Sequence, residues 1–137
     1  MSTQREMIAS LDALAKQPEG CFDLVHNERQ LGLSVRRANT LVRRLKGLIG
    51  QPSLGVNQGL LIFPCNSVHT LAMKFAIDVV FLSRCGRVLD VRCGLAPMRA
   101  AMRLNAFAAL ELSAGSAQRL GLLPGERVSW CALFKDS

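Results

Sequence analysis

The sequence predicts a mainly β domain of the α+β kind, a compact barrel or sandwich of short strands carrying two or three short helices. Three observations point there. Apolar runs are brief and are punctuated by Gly, Pro, Asn and Ser clusters, the pattern of strands and turns. Helical periodicity is confined to a few short stretches. Strands and helices do not alternate as they would in a doubly wound parallel sheet, and no internal repeat is visible. A chain of 137 residues, half of them apolar, is long enough to bury one core and too apolar to stay disordered. Tyrosine is absent and aromatics make up 5%, so Leu, Val, Ala, Ile and Met must fill that core.

Taken in order, Thr3 and Glu6 have capping-box spacing, and Met7, Ile8, Leu11, Leu14 and Ala15 recur at helical intervals. Residues 1–19 are therefore expected to be an amphipathic helical extension, stopped by Pro18 and Gly20, ahead of a single β-rich domain over 20–135. "CFDLVHNERQLGLSVRRA" reads as two strands around His26-Asn27-Glu28, Asn27 being a natural turn residue. A helix capped by Asn39 follows, with Leu41, Val42, Leu45, Leu48 and Ile49 apolar and Gly50 and Pro52 closing it. "GLLIFPC" is a short buried strand limited by Pro64. Ile77–Leu82 and Arg87–Cys93 form a hairpin whose turn, Ser83 to Gly86, ends on glycine. "LAPMRAAMRLNA" is irregular and superficial. A strand ending at Leu112, a short helix capped by Ser113 and ended by Gly121, and a strand from Arg127 to Phe134 complete the chain.

No apolar run approaches the roughly 18–20 residues of a membrane span. The N-terminus is interrupted by Arg5, Glu6, Asp12 and Lys16 and is expected to carry no secretory signal. Five scattered cysteines without a C-x-x-C pair argue against a zinc knuckle and fit reduced thiols in the cytoplasm; no cofactor is expected. The formal charge of +7 favours an anionic partner without bearing on the fold.

Candidate chemistry gathers between residues 65 and 78. Cys65, His69 and Met73 are spaced four residues apart, and soft sulfur with imidazole would suit Cu(I) or zinc; packing is the competing use of the two sulfurs. Cys65 with His69 has the residue types of a nucleophile pair but no evident oxyanion hole. Alternation along the strand puts Ile77, Val79 and Phe81 on one face and Asp78, Val80 and Leu82 on the other. Asp78 is thus expected at the rim of an apolar face, paired with Lys74, Arg43 or Arg44. Glu111 sits similarly, and the two carboxylates can serve as acid and base only if they converge. Arg29, Arg36, Arg37, Arg43, Arg44 and Lys46 form a basic segment over 29–46, without the aromatics that stack nucleic-acid bases.

Four blocks resemble the domain of unknown function 192 family. They are "RRLKGLIG", "GLLIFPCNSVHTLAMKFAIDVVFL", "GRVLDV" and "LELSAGSAQRLGLLPGERV", which lie in the family's order and span about residues 22–130. The resemblance implies a small, mostly β bacterial or archaeal protein, and implies fold better than activity. Departures occur at Gln51, Ala76 and Met98, where the family commonly has a basic residue, proline and tryptophan. Many members are exported, whereas this chain resembles the cytoplasmic kind. The expected function is binding of a small ligand or protein partner at a polar rim over 65–78, through His69, Thr70, Lys74 and Asp78 with Arg43 and Arg44. The alternatives are a hydrolase using His69 with Asp78 or Glu111, and an accessory protein engaging a nucleic acid or acidic protein through 29–46; nucleic acid is the less favoured partner.

Overall fold

The computed structural model describes residues 5–16, 21–38, 53–71 and 73–133. Its strands are β1 (Arg5–Ile8), β2 (Cys21–His26), β3 (Arg29–Gln30), β4 (Ser34–Ala38), β5 (Gln58–Ile62) and β6 (Ser67–His69). They continue with β7 (Ile77–Leu82), β8 (Val88–Leu95), β9 (Ala100–Met102), β10 (Ala108–Ser113) and β11 (Ser129–Leu133). Among the described residues the helices are single turns, α1 (Leu11–Leu14) and α2 (Ser116–Arg119). The molecule is β-rich, as its short apolar runs require.

Nine strands form one sheet in the order β1-β11-β2-β4-β5-β10-β7-β8, with β3 folded back on β2. Pairing is antiparallel except between β4 and β5. A parallel pair needs a crossover, and the expected helix over residues 39–50 falls in that connection but lies outside the described residues. The two ends of the sheet meet. Arg87 and Arg127 form a bridge, the Val88 amide donates to the Glu126 carbonyl at 2.7 Å, and the Val128 amide donates to the Gly86 carbonyl at 2.9 Å. Gly86 permits this approach because its φ is +85° and a Cβ there would sit 2.2 Å from the Val128 carbonyl oxygen.

Both faces of the central strands are buried, so alternation sorts their side chains into two cores. Val80, Leu82, Leu110, Leu112, Leu61 and Trp130 belong to the larger one, enclosed by the curled sheet with α1 and α2. Ile77, Val79, Phe81, Ala109, Leu60 and Ile62 belong to the smaller one on the opposite face. A two-stranded ribbon, β6 with β9, covers this second core through Val68 and Ala101. A fully buried Val contributes about 1.5–3 kcal/mol relative to exposure, so Val68 helps fix the ribbon to the sheet by apolar burial.

Two expectations change. The helical extension over 1–19 is, in its described part, a strand followed by one helical turn: β1 pairs with β11 in register from Arg5–Leu133 to Ile8–Trp130. Ser10 caps the turn, its Oγ accepting from the Ala13 amide at 3.2 Å. Met7 and Ile8 fit both periods, and the vacant edge of β11 selects the strand. The stretch expected to be irregular contains β9, whose short length hides its alternation. The hairpin β7–β8 lies where its turn residues placed it.

Candidate functional site

Asp78 is fully buried rather than at a rim. Its Oδ1 accepts from the Gly94 amide at 2.8 Å and its Oδ2 from the Ala117 amide at 2.9 Å. The carboxylate therefore ties β7 to β8 and to α2 through backbone donors, not through the expected cation. Lys74 is exposed, and Arg43 and Arg44 lie outside the described residues. Glu111 is also fully buried, but register places it between Leu60 and Val79, on the face of the smaller core. Asp78 aligns with Leu112 on the other face. The sheet separates the two carboxylates, so they do not converge as an acid and base. A third buried acid, Asp23, escaped notice in the sequence: it accepts from the amides of Leu24 and Leu33, each at 2.8 Å, and of Gly32 at 3.0 Å.

The residues between 65 and 74 divide by role. Cys65 packs against the smaller core, where Met73 is buried, and its thiol donates to the Ser67 carbonyl at 3.0 Å. His69 is half-buried on β6. Among the described residues no group of three or more His, Cys, Asp or Glu side chains is placed to hold a metal. Thr70 is fully buried and fastens the neighbouring loop. Its hydroxyl donates to the Ala96 carbonyl at 2.6 Å and accepts from the Arg99 amide at 2.9 Å, while its backbone carbonyl accepts from Met98 at 3.1 Å. Met98 is held there at φ +63°, in the left-handed region that a non-glycine residue rarely enters.

This fastening presents a surface that the sequence reading missed. Val68 and Ala101 point into the smaller core, leaving the outer face of the ribbon to their neighbours in register, Ser67 with Met102 and His69 with Ala100. At one end Leu71 and Met98 are exposed, and at the other Met102 and Leu104, with Leu104 at 77%. Arginines accompany them. Arg99 and Arg103 are exposed and, among the described residues, have no ion-pair partner, while Arg92 holds Asp90 at 2.9 Å. Burial raises the Asp90 carboxyl. The Arg92 hydrogen bond, the Val91 amide and the charges of Arg92 and Arg103 outweigh it, and the net shift is downward. The available signal was composition: residues 91–110 contain three arginines and no acid.

Elsewhere, a groove of about 590 Å³ opens where the sheet ends meet, lined by Met7, Val25, Val128, Glu28, Cys85 and Arg127 among others. Cys85 is exposed there, 3.3 Å from the Ser83 hydroxyl. That hydrogen bond, partly offset by desolvation and aided by the Arg87 amide and the Arg127 charge, moves its thiol downward from the usual cysteine value. In the basic segment Arg29 and Arg36 are exposed, and Arg37 donates to the Leu14 carbonyl at 2.7 Å.

Compared with known proteins, residues 24–130 match the family model DUF192, described as Uncharacterized ACR. Two crystal structures share the fold. One is a protein of Sinorhizobium meliloti 1021, provisionally described as a transcription regulator. It aligns with a TM-score of 0.71 at 21% identity, covering 82% of this chain and 94% of that one. The other, a protein of unknown function from Novosphingobium aromaticivorans DSM 12444, aligns with a TM-score of 0.70 at 22% identity, covering 82% and 85%. No curated protein matches the chain.

Proposed function

The chain belongs to the DUF192 family, and on that premise we propose that it is a binding module for a protein partner, engaged through the outer face of the β6–β9 ribbon. One observation carries this reading: four large apolar side chains stand exposed at one short ribbon whose inner face is anchored in a core, Met102 on strand β9 and Leu71, Met98 and Leu104 in turns two residues beyond the strand ends. Exposed apolar groups gathered around one ribbon mark interaction sites more often than scattered ones do. Met and Arg are also the residue types that protein interfaces favour, with Lys disfavoured. The ribbon adjoins the rim over 65–78 and includes His69 from it, while Thr70 acts from beneath by shaping the loop that carries Met98. A hydrolase reading keeps only His69 with Glu111, since Asp78 faces the opposite core with both oxygens engaged by amides. A reducing compartment such as the cytoplasm is proposed with it, supported by five free cysteines.

The test is site-specific photo-crosslinking in extracts of the native cell. A photoreactive residue at Met102 is expected to yield one discrete adduct whose partner peptide is identified by mass spectrometry. The same residue at Val56, exposed but away from the ribbon, is expected to yield none. Equal labelling from both positions would refute the reading.

A further inference from the structure

We infer that the segment seated on the ribbon is acidic as well as apolar: an extended stretch of a partner protein that sets Asp or Glu against Arg99 and Arg103 and its own apolar side chains against Met98, Met102 and Leu104. This inference rests on the proposed binding role of the ribbon and adds the chemistry of what binds.

Charge complementarity decides it. From Val91 to Leu110 the chain carries Arg92, Arg99 and Arg103 and no acid. Asp90 borders the ribbon and is engaged by Arg92 at 2.9 Å. Among the described residues, Arg103 spends one donor on the Asn105 side chain at 2.8 Å, and Arg99 reaches only its neighbour's carbonyl at 3.4 Å. Neither interaction neutralises a guanidinium, and Lys74 adds another exposed cation on the rim. A guanidinium fork recognises a carboxylate bidentately, which gives an acidic partner a fixed register beside the apolar contacts.

The geometry suits a strand. Strand β9, Ala100–Met102, spans roughly 10 Å at the rise of a β-strand, enough to seat three extended residues, and the turns at Met98 and Leu104 lengthen the face at either end. Apolar side chains stand at both ends, and Ala100 leaves room at the middle. A second copy of this chain is a poor occupant, because two such ribbons would place arginines against arginines. An anionic membrane is the less favoured occupant, because interfacial surfaces add Trp or Phe to their Leu and none of the large exposed apolar residues here is aromatic.

Fluorescence anisotropy of two labelled peptides of about ten residues tests this. Both carry the same Leu and Met residues, one with intervening Asp and Glu and the other with Lys in their place. The acidic peptide is expected to bind, to weaken about tenfold or more with Arg99→Glu/Arg103→Glu, and to weaken as salt rises from roughly 50 to 500 mM. The Lys peptide is expected not to bind. Equal binding of both peptides overturns the acidic assignment while leaving the ribbon as a binding face, which the Met102 crosslink judges independently. Binding to phosphatidylglycerol vesicles with neither peptide bound overturns both the assignment and the protein-partner reading. A Met98→Ser/Leu104→Ser variant that binds the acidic peptide as well as the original chain overturns the placement on the ribbon.

Discussion

Cys85 shows how a single turn residue acquires chemistry from its neighbours. The Ser83 hydroxyl lies 3.3 Å from its sulfur, and Arg127 stands across the groove it lines. Both favour the thiolate over the thiol, so alkylation of Cys85 should begin at lower pH than for an ordinary thiol. Ser83→Ala or Arg127→Gln is expected to move the midpoint of its pH–rate profile upward. Iodoacetamide labelling followed by peptide mass spectrometry reads this directly, and an unchanged profile in both variants would contradict it. The sequence could place Cys85 in a tight turn before Gly86, but not beside Arg127, which is 42 positions later and arrives only when the sheet ends meet.

At the scale of elements, Asp78 joins three of them: β7, which carries it, β8 through Gly94, and α2 through Ala117. Its place on the strand was legible, because alternation assigns it to the face of Val80 and Leu82. Its burial was not, since whether a strand's second face meets solvent depends on what packs over it, here α2 and the curled sheet. Asp78→Ala leaves the buried Ala117 amide without its acceptor and releases the Gly94 amide on the exposed end of β8, and is expected to cost about 1–3 kcal/mol, from the desolvation cost of an unsatisfied buried group. Urea denaturation measures this, and a loss below about 1 kcal/mol would contradict the structural role. The β7–β8 hairpin was legible for a local reason: its strands and turn are contiguous. The β6–β9 ribbon was not, for the opposite reason. Three-residue strands more than thirty positions apart carry too little periodicity to announce a pair.

The whole molecule separates what holds it from what it offers. The two cores and the buried carboxylates Asp78 and Asp23 are engaged inward, and the meeting of the sheet ends at Gly86 fixes the curl. Composition and turn residues made the β-rich class readable, because burial on short strands is written in local pattern. The proposed interaction face was written only as an absence of acids over 91–110, and it becomes a surface once Thr70 fixes the loop and the ribbon folds over the second core. None of the described helices is long and apolar enough to cross a membrane. The most direct measurement is hydrogen–deuterium exchange of the chain alone and with the partner identified through the Met102 crosslink. Slowed exchange confined to residues 67–71 and 98–104 is the predicted result. Protection of the groove at residues 7–10, 25–28 and 127–129, with the ribbon unchanged, would contradict the central claim.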